Sequence, residues 1–231
     1  MNRFSILSIF LFTMIIGCHN KSESSVKAIP GKEAVFFDYA VWAEEDKDFV
    51  NILLKFRQGG ENDSTIILEA PSKVEVDGKI LEADSSKMSG IYYELQTPVD
   101  SFTGKHQVVF TSADNKEYKE QFEFKPFRFK TGFPDTIHRA NLVLEFENLN
   151  DEDYIRITAI DTSFKSRGIN DVDTLKGGQL LISKERLKNL VNGPVRIEFY
   201  KEEEKPVKNS TSGGGLLSIT YGLKRQFELV D

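Results

Sequence analysis

The sequence has few of the residues on which most enzymes and metal proteins depend. Its 231 residues include one cysteine and three histidines, so the chain can form no intramolecular disulfide and no site built from several thiolates. The motifs Gly-x-Ser-x-Gly and His-Glu-x-x-His, which mark many serine and zinc hydrolases, are absent. We therefore expect a protein that is not an enzyme and that uses no cofactor.

A surplus of basic residues is also missing. There are 36 Asp and Glu residues against 30 Lys and Arg, a net charge of −6 at pH 7, and the basic residues form no dense stripe. Nucleic-acid binders neutralise phosphates with clustered Lys and Arg, so nucleic acid is not an expected partner.

The chain begins with a short basic and apolar segment. After Arg3, a mostly apolar run extends from Phe4 to Ile16 and is followed by Gly17 and Cys18. The run is too short for a membrane-spanning helix and ends in a small residue. This layout predicts a secretory signal peptide over residues 1–17.

The closing tetrapeptide Ile15-Ile16-Gly17-Cys18 resembles the lipobox of bacterial lipoproteins. The resemblance implies that residues 1–17 are removed and that the Cys18 sulfur carries a diacylglycerol, which attaches the protein to a membrane. His19 and Asn20 follow in place of the Asp that directs such proteins to the inner membrane, which implies a lipid-anchored outer-membrane protein of the cell envelope. Whether it faces the periplasm or the cell surface stays open. The alternatives for Cys18 are an incidental cysteine in an ordinary signal peptide and a buried free thiol.

The rest of the chain has the recurring short runs of strand-forming residues that are typical of an all-β protein. Residues 18–31 are rich in Ser, Lys and Glu, which predicts a flexible tether, with an ordered strand as the alternative. From Ala34 onward, runs of β-branched and aromatic residues recur at intervals of about ten residues, separated by Gly, Asn, Asp and Pro. The predicted strands are Ala34–Ala43, Phe49–Phe56, Ser64–Leu68, Lys73–Val76, Ile91–Leu95, His106–Thr111, Tyr118–Phe124, Arg128–Thr131, Asn141–Glu147, Tyr154–Ile160, Gly178–Ile182, Val195–Lys201 and Leu216–Leu229.

These strands divide near Pro126 into two groups of similar length. The number and spacing of strands in the first group fit one immunoglobulin-like β-sandwich, and the second group fits another sandwich-like unit. We expect two immunoglobulin-like β-sandwich modules in tandem, the first over residues 32–126 and the second over 127–231.

Two local signals refine this expectation. Ser183 is a good N-cap for one short helix in the second module, with Leu187, Leu190 and Val191 on a shared apolar face. Asp77-Gly78 lies between two apolar stretches, which predicts a two-residue hairpin turn.

Three segments carry a further resemblance. They are Lys73–Leu81, the approach Met88-Ser89-Gly90-Ile91-Tyr92-Tyr93, and the run from Leu180 through Leu187 to Asn192-Gly193-Pro194. They resemble the two-module, Ig-like lipoproteins of Bacteroidota-type envelopes. The resemblance implies a lipid-anchored pair of β modules and names no reaction.

Aromatic residues supply the candidate contact site. Trp42 lies in an aromatic run, and Tyr92 and Tyr93 are adjacent on a predicted strand, so one of the two must point away from its sheet's core. If Trp42 and one of these tyrosines are exposed together, they can stack on a sugar ring or contact a protein. The alternative is packing between two sheets.

Carboxylates supply a weaker candidate. Asp161, Asp171 and Asp173 flank a loop that could gather several oxygen ligands for calcium, although their spacing does not match an EF-hand. The alternative is solvated loop charge.

The leading hypothesis is a non-enzymatic envelope lipoprotein with a binding or structural role, displaying a surface to an unknown protein or glycan partner. The rival is a carboxylate-dependent hydrolase or a carbohydrate-active, glycan-binding protein, with or without calcium. A deep cleft between the modules that holds two carboxyl groups would favour the rival.

Overall fold

The structure is a computed structural model that describes residues 34–163 and 165–231. The predicted signal peptide, Cys18 and the predicted tether therefore lie outside the described residues. Within the described ranges, no helix has the length and apolar content needed to cross a membrane.

The described residues form strands almost throughout, with one short helix. The strands are β1 (Val35–Glu44), β2 (Phe49–Gln58), β3 (Lys73–Val76), β4 (Lys79–Leu81), β5 (Ala83–Ser86), β6 (Gly90–Pro98), β7 (Gly104–Thr111), β8 (Glu117–Phe124), β9 (Arg128–Phe129), β10 (Thr136–His138), β11 (Leu142–Glu147), β12 (Tyr154–Asp161), β13 (Ile169–Thr174), β14 (Gln179–Ile182), β15 (Gly193–Pro206) and β16 (Gly215–Val230). The helix α1 spans Lys184–Leu187, and a 3-10 turn spans Val99–Ser101.

One large sheet runs through both halves of the described chain. Its strand order is β13-β12-β15-β16-β1-β2-β6-β5, with β10 also paired to β16. β15 and β16 form a hairpin of 14 and 16 residues, longer than any other strand. The first part of β16 pairs with β1 and its last residues pair with β10, both in parallel. This hairpin is therefore common to both halves of the fold.

Two smaller sheets cover one face of the large sheet. The first, in the order β4-β3-β7-β8, packs against the half that contains β1 and β2, where the rings of Phe56 and Phe110 lie 5.0 Å apart. The second, in the order β14-β11-β9, packs against the other half, where the rings of Phe146 and Phe199 lie 5.7 Å apart. The predicted fold class, all-β with two sandwiches in tandem and one short helix, is confirmed.

The two halves share a continuous core. At their junction the ring of Tyr221 lies 6.0 Å from Phe124 and 5.6 Å from Phe127, and Phe127 lies 5.7 Å from Phe146. Burial, followed by the nearby Glu45 carboxylate, raises the pKa of Tyr221 to about 12. Because β16 pairs with β1, the large sheet crosses the predicted boundary at residue 126; the division itself stays a prediction.

Several local predictions are confirmed in detail. Asp77 and Gly78 have φ of 50° and 80°, as a two-residue hairpin turn of the mirror-image type requires. The Ser183 hydroxyl accepts the Arg186 N–H at 3.3 Å and caps α1, and Leu187 is buried. Val191, however, is 47% exposed, because it follows the end of the helix rather than continuing its apolar face.

The predicted strand Ser64–Leu68 is wrong. It makes a single bridge, between Thr65 and Arg57, and its Leu68 N–H donates to the Tyr93 hydroxyl at 2.7 Å. Backbone hydrogen bonds to β2 therefore end at Ile66, and at Leu68 a side chain takes the place of a strand partner. The edge strand β13 was not predicted, because Asn and Asp alternate with its apolar residues.

Candidate binding site

An open cleft lies on the outer face of the large sheet, the face that the two smaller sheets leave uncovered. It is formed where β1 turns into β2, and its volume is ≈ 400 Å³, within the range typical of small-ligand sites. The residues that line it are Trp42, Ala43, Glu44, Asp46, Lys47, Asp48, Phe49, Asn51 and Gln96.

Two aromatic side chains form the apolar part of this cleft. Side chains alternate along a strand, so the burial of Val41 and Val50 in the core directs Trp42 and Phe49 outward. Trp42 is 37% exposed and Phe49 is 42% exposed. Among the described residues the indole N–H of Trp42 has no hydrogen-bond partner, so it can donate to a ligand.

Two side-chain amides form the polar part. Strand register places Trp42 opposite Asn51, and Asn51 opposite Gln96, so the three side chains stand in one row. The Gln96 Nε2 donates to Asn51 Oδ1 at 2.9 Å. In this orientation the Asn51 NH₂ and the Gln96 Oε1 have no further partner in the part of the chain that the structure describes, which gives the cleft one donor and one acceptor side by side.

The carboxylates of the cleft are either paired or solvated. Glu44 accepts from Lys224 Nζ at 2.7 Å, and this hydrogen bond raises the pKa of the Lys224 ammonium. Asp46 and Asp48 are exposed in the turn between the strands. The cleft therefore offers no acid sheltered from water, which a glycosidase-type general acid requires.

The two histidines of the described ranges are held by other contacts. Both ring nitrogens of His106 are occupied, Nδ1 by Asp77 Oδ2 and Nε2 by the Phe102 carbonyl, each at 2.7 Å. His138 Nδ1 lies 3.1 Å from the Asp231 carbonyl oxygen. Neither histidine lies in the cleft.

The structure does not bring Tyr92 or Tyr93 to Trp42. Tyr93 is 3% exposed, its hydroxyl accepts the Leu68 N–H, and burial raises its pKa, so it is a core residue as the packing alternative expected. Tyr92 faces outward and donates to Asp84 at 3.2 Å. It stands four residues before Gln96 on β6, a separation of about 13 Å along the strand.

Phe49 therefore takes the place expected of a tyrosine beside Trp42. The sequence signal for it was available: the short polar turn between β1 and β2 sets the two strands in a hairpin, which returns Phe49 and Asn51 beside the end of β1. Gln96 had no comparable signal, because its position depends on the pairing of β2 with β6.

The three candidate calcium ligands do not form one group among the described residues. Asp161 is buried and accepts the backbone N–H groups of Ser163 and Val191, each at 2.9 Å. Burial opposes its charge, yet these hydrogen bonds and those from the Ser163 and Ser166 hydroxyls hold the pKa of Asp161 well below its usual range.

Asp171 and Asp173 are bound instead by Arg186, at 3.1 and 2.8 Å. In residues 34–163 and 165–231, no three His, Cys, Asp or Glu side chains are grouped so that they could hold a metal ion.

Two hollows lie where β7 and β8 of the first half approach β15. The wider one is open, has a volume of ≈ 480 Å³, and is lined in part by Asp77, His106, Glu123 and Lys205. The narrower one has a volume of ≈ 40 Å³ and is lined in part by Glu123, Glu203 and Tyr221. This volume holds about one water molecule.

Comparison with known proteins adds little. No family model and no curated protein matches the chain. Among solved structures, the IG1+IG2 pair of DIP-gamma aligns over 87% of this chain and 97% of its own, with 9% identity and a TM-score of 0.24. A tetra-tandem repeat from the extending region of a large adhesion protein covers 84% of this chain and 50% of its own, with 11% identity and a TM-score of 0.25. The Bacteroides ovatus SGBP-B, solved with a mixed-linkage heptasaccharide, covers 81% and 60%, with 9% identity and a TM-score of 0.23. Sequence identities and TM-scores at this level are too low to indicate a shared function.

Proposed function

We propose that this protein is a non-enzymatic, glycan-binding lipoprotein of the cell envelope, attached to the outer membrane through lipid on Cys18. The observation that carries the binding role is the open cleft in which Trp42 and Phe49 stand beside the Asn51–Gln96 amide pair.

A sugar ring matches this lining in two ways. Its C–H face is apolar and packs on the exposed faces of aromatic rings, and its hydroxyl groups both donate and accept hydrogen bonds. The Asn51 NH₂ and Gln96 Oε1 supply that donor and acceptor pair, and the indole N–H of Trp42, which has no partner within residues 34–163 and 165–231, supplies a second donor. The cleft needs no change of shape to expose these groups, because all of them stand on paired strands.

The hydrolase alternative has less support. Glu44 is engaged by Lys224, and Asp46 and Asp48 are exposed, so none of these carboxylates has the unpaired, water-sheltered position that a general acid needs. Both described histidines lie elsewhere. We therefore expect a bound glycan to dissociate from the cleft without being hydrolysed.

Binding can be measured on the full chain by isothermal titration. The probes are soluble cello-, laminari-, malto-, xylo- and chito-oligosaccharides, from disaccharide to octasaccharide. Wild-type protein should bind at least one series, and Trp42→Ala should weaken that binding by about tenfold through loss of a stacking contact. Tyr92→Ala is the matched control, because it removes an aromatic ring from the same face outside the cleft, and it should bind as the wild type does.

Two results would contradict the binding proposal. One is an absence of binding to every series, and the other is equal binding by Trp42→Ala and wild type. Release of reducing ends from a bound oligosaccharide would instead favour the hydrolase.

The membrane anchor has its own test. Cys18→Ser should abolish labelling by a fatty-acid analogue, because it removes the residue that carries the acyl chains. It should also release the protein from membranes, because these chains supply the proposed anchor. Unchanged labelling would show that Cys18 is not the lipidated residue.

A further inference from the structure

All strongly exposed aromatic residues of the described chain lie on one surface. Trp42, Phe49 and Tyr154 are 37%, 42% and 65% exposed, and they are the aromatic members of the set of exposed large hydrophobic residues. Trp42 and Phe49 line the cleft, whereas Tyr154 stands at the start of β12, in the other half of the fold. Each projects from the outer face of the large sheet, opposite the buried residues of its strand.

Strand register aligns Tyr154 with the cleft. Trp42 on β1 faces Thr220 on β16, and Thr220 faces Glu202 on β15. Tyr154 immediately precedes Ile155, which faces Lys201, so Tyr154 continues the same row on β12. The row from Trp42 to Tyr154 spans three strand spacings, about 14 Å.

The side chains on the surface between the two aromatic residues contact one another closely. Tyr200 lies flat across Gly222, where an added Cβ would fall 2.5 Å from its Cε1. The Tyr200 hydroxyl donates to Glu198 at 2.9 Å, and the Arg156 guanidinium lies 5.2 Å from the Tyr200 ring centroid. Arg156 also binds Glu202 through two hydrogen bonds. The floor is therefore polar and internally paired.

We propose that the cleft is one end of a longer glycan-binding lane, defined by the row Gln96, Asn51, Trp42, Thr220, Glu202 and Tyr154. Its occupant is a single polysaccharide chain that stacks on Trp42 at one end and on Tyr154 at the other. This inference rests on the proposed function and specifies its ligand as a chain of several sugar units rather than a single sugar.

The shape and polarity of the lane favour this occupant. Neighbouring strands rotate by about 20° each, so the two aromatic platforms differ in direction by about 60°. A soluble chain can follow that rotation, whereas the flat face of a crystalline polysaccharide cannot. A protein partner would need an apolar centre, but the centre of the lane is occupied by Glu202 and Arg156.

The experiment measures how the affinity of the full-length protein depends on oligosaccharide length. In the series that wild type binds, affinity should rise with length and then reach a plateau. Tyr154→Ala should bind the shortest ligands as wild type does, and bind the longest about five- to tenfold more weakly, because only these reach the second stacking contact. Trp42→Ala should lose affinity at every length, and Tyr92→Ala should match wild type throughout.

The outcomes separate the lane from the cleft. If Tyr154→Ala keeps the full length dependence while Trp42→Ala is weakened, the lane is wrong and the cleft stands. Equal binding to insoluble cellulose or chitin and to the soluble chains would also overturn the lane. Absence of binding at every length would overturn the proposed function and the lane together. Tyr154 is at the surface, so the variant should keep the thermal midpoint of wild type.

Discussion

Truncating Phe127 tests whether the two halves of this protein unfold as one unit. The side chain is fully buried, and its ring contacts Phe146 of the second half and Tyr221 of the shared hairpin at 5.7 and 5.6 Å. Phe127→Ala removes these contacts and leaves a cavity, which costs about 3–5 kcal/mol in a packed core. A protein of this size has a total stability of roughly 5–15 kcal/mol, so the loss should be large but not complete.

The assay is urea unfolding followed by two probes. Fluorescence of Trp42, the one tryptophan of the chain, reports on the first half, and far-ultraviolet circular dichroism reports on all strands. Because β16 pairs with strands of both halves, Phe127→Ala should shift both midpoints equally and leave a single transition. Tyr154→Ala is the control for a surface aromatic residue, with a loss within about 0.5 kcal/mol.

A different pattern would refute this reasoning. If the fluorescence midpoint stays at the wild-type value while the circular dichroism signal splits into two steps, the halves unfold independently. The shared hairpin would then not couple them.

Two further substitutions test particular contacts. Gly222→Ala should destabilise the protein by about 1–3 kcal/mol in urea unfolding, because the new methyl group displaces the Tyr200 ring, whereas Gly132→Ala, where a Cβ meets nothing within 4 Å, should not. Asp161→Asn should cost about 1–3 kcal/mol at neutral pH, because the buried carboxylate accepts the Val191 N–H and further hydrogen bonds. A carboxylate with a lowered pKa stabilises the fold above its unfolded pKa, ~3.9 for Asp, so the difference from wild type should shrink as the pH falls below that value; a constant difference would contradict this.

The alternation of apolar and polar residues predicted most of the strands, because it reflects which side chains are buried. Val50, Ile52, Leu54 and Phe56 alternate in the sequence and are all fully buried on β2. Such patterns identify strands but not their neighbours. The parallel pairing of β1 with β16 joins segments about 180 residues apart, and nothing local in either segment specifies that partner.

The candidate site was predicted in part, because local pattern places a residue on a strand but does not identify the neighbouring strands. Aromatic alternation correctly placed Trp42 on a strand, but its companions depend on which strands lie beside β1. The hairpin brings Phe49 to the cleft, and the large sheet brings Tyr154 into the same row from the second half. Tyr93 is adjacent to Tyr92 in sequence, yet faces the core, since a one-residue step along a strand reverses the side.

The parallel pairing of β1 with β16 also determines how the protein carries mechanical load. The two strands run side by side in the same direction over the pairs from Phe37↔Gly215 to Glu44↔Gly222. A pull between the proposed lipid anchor at Cys18 and a glycan bound at Tyr154, as proposed above, would drag β1 backward and β16 forward along their common axis. The hydrogen bonds of the ladder are then loaded together in shear rather than broken one at a time. Tension from the proposed anchor would thus enter the fold at β1, the strand whose parallel ladder with β16 resists it in shear.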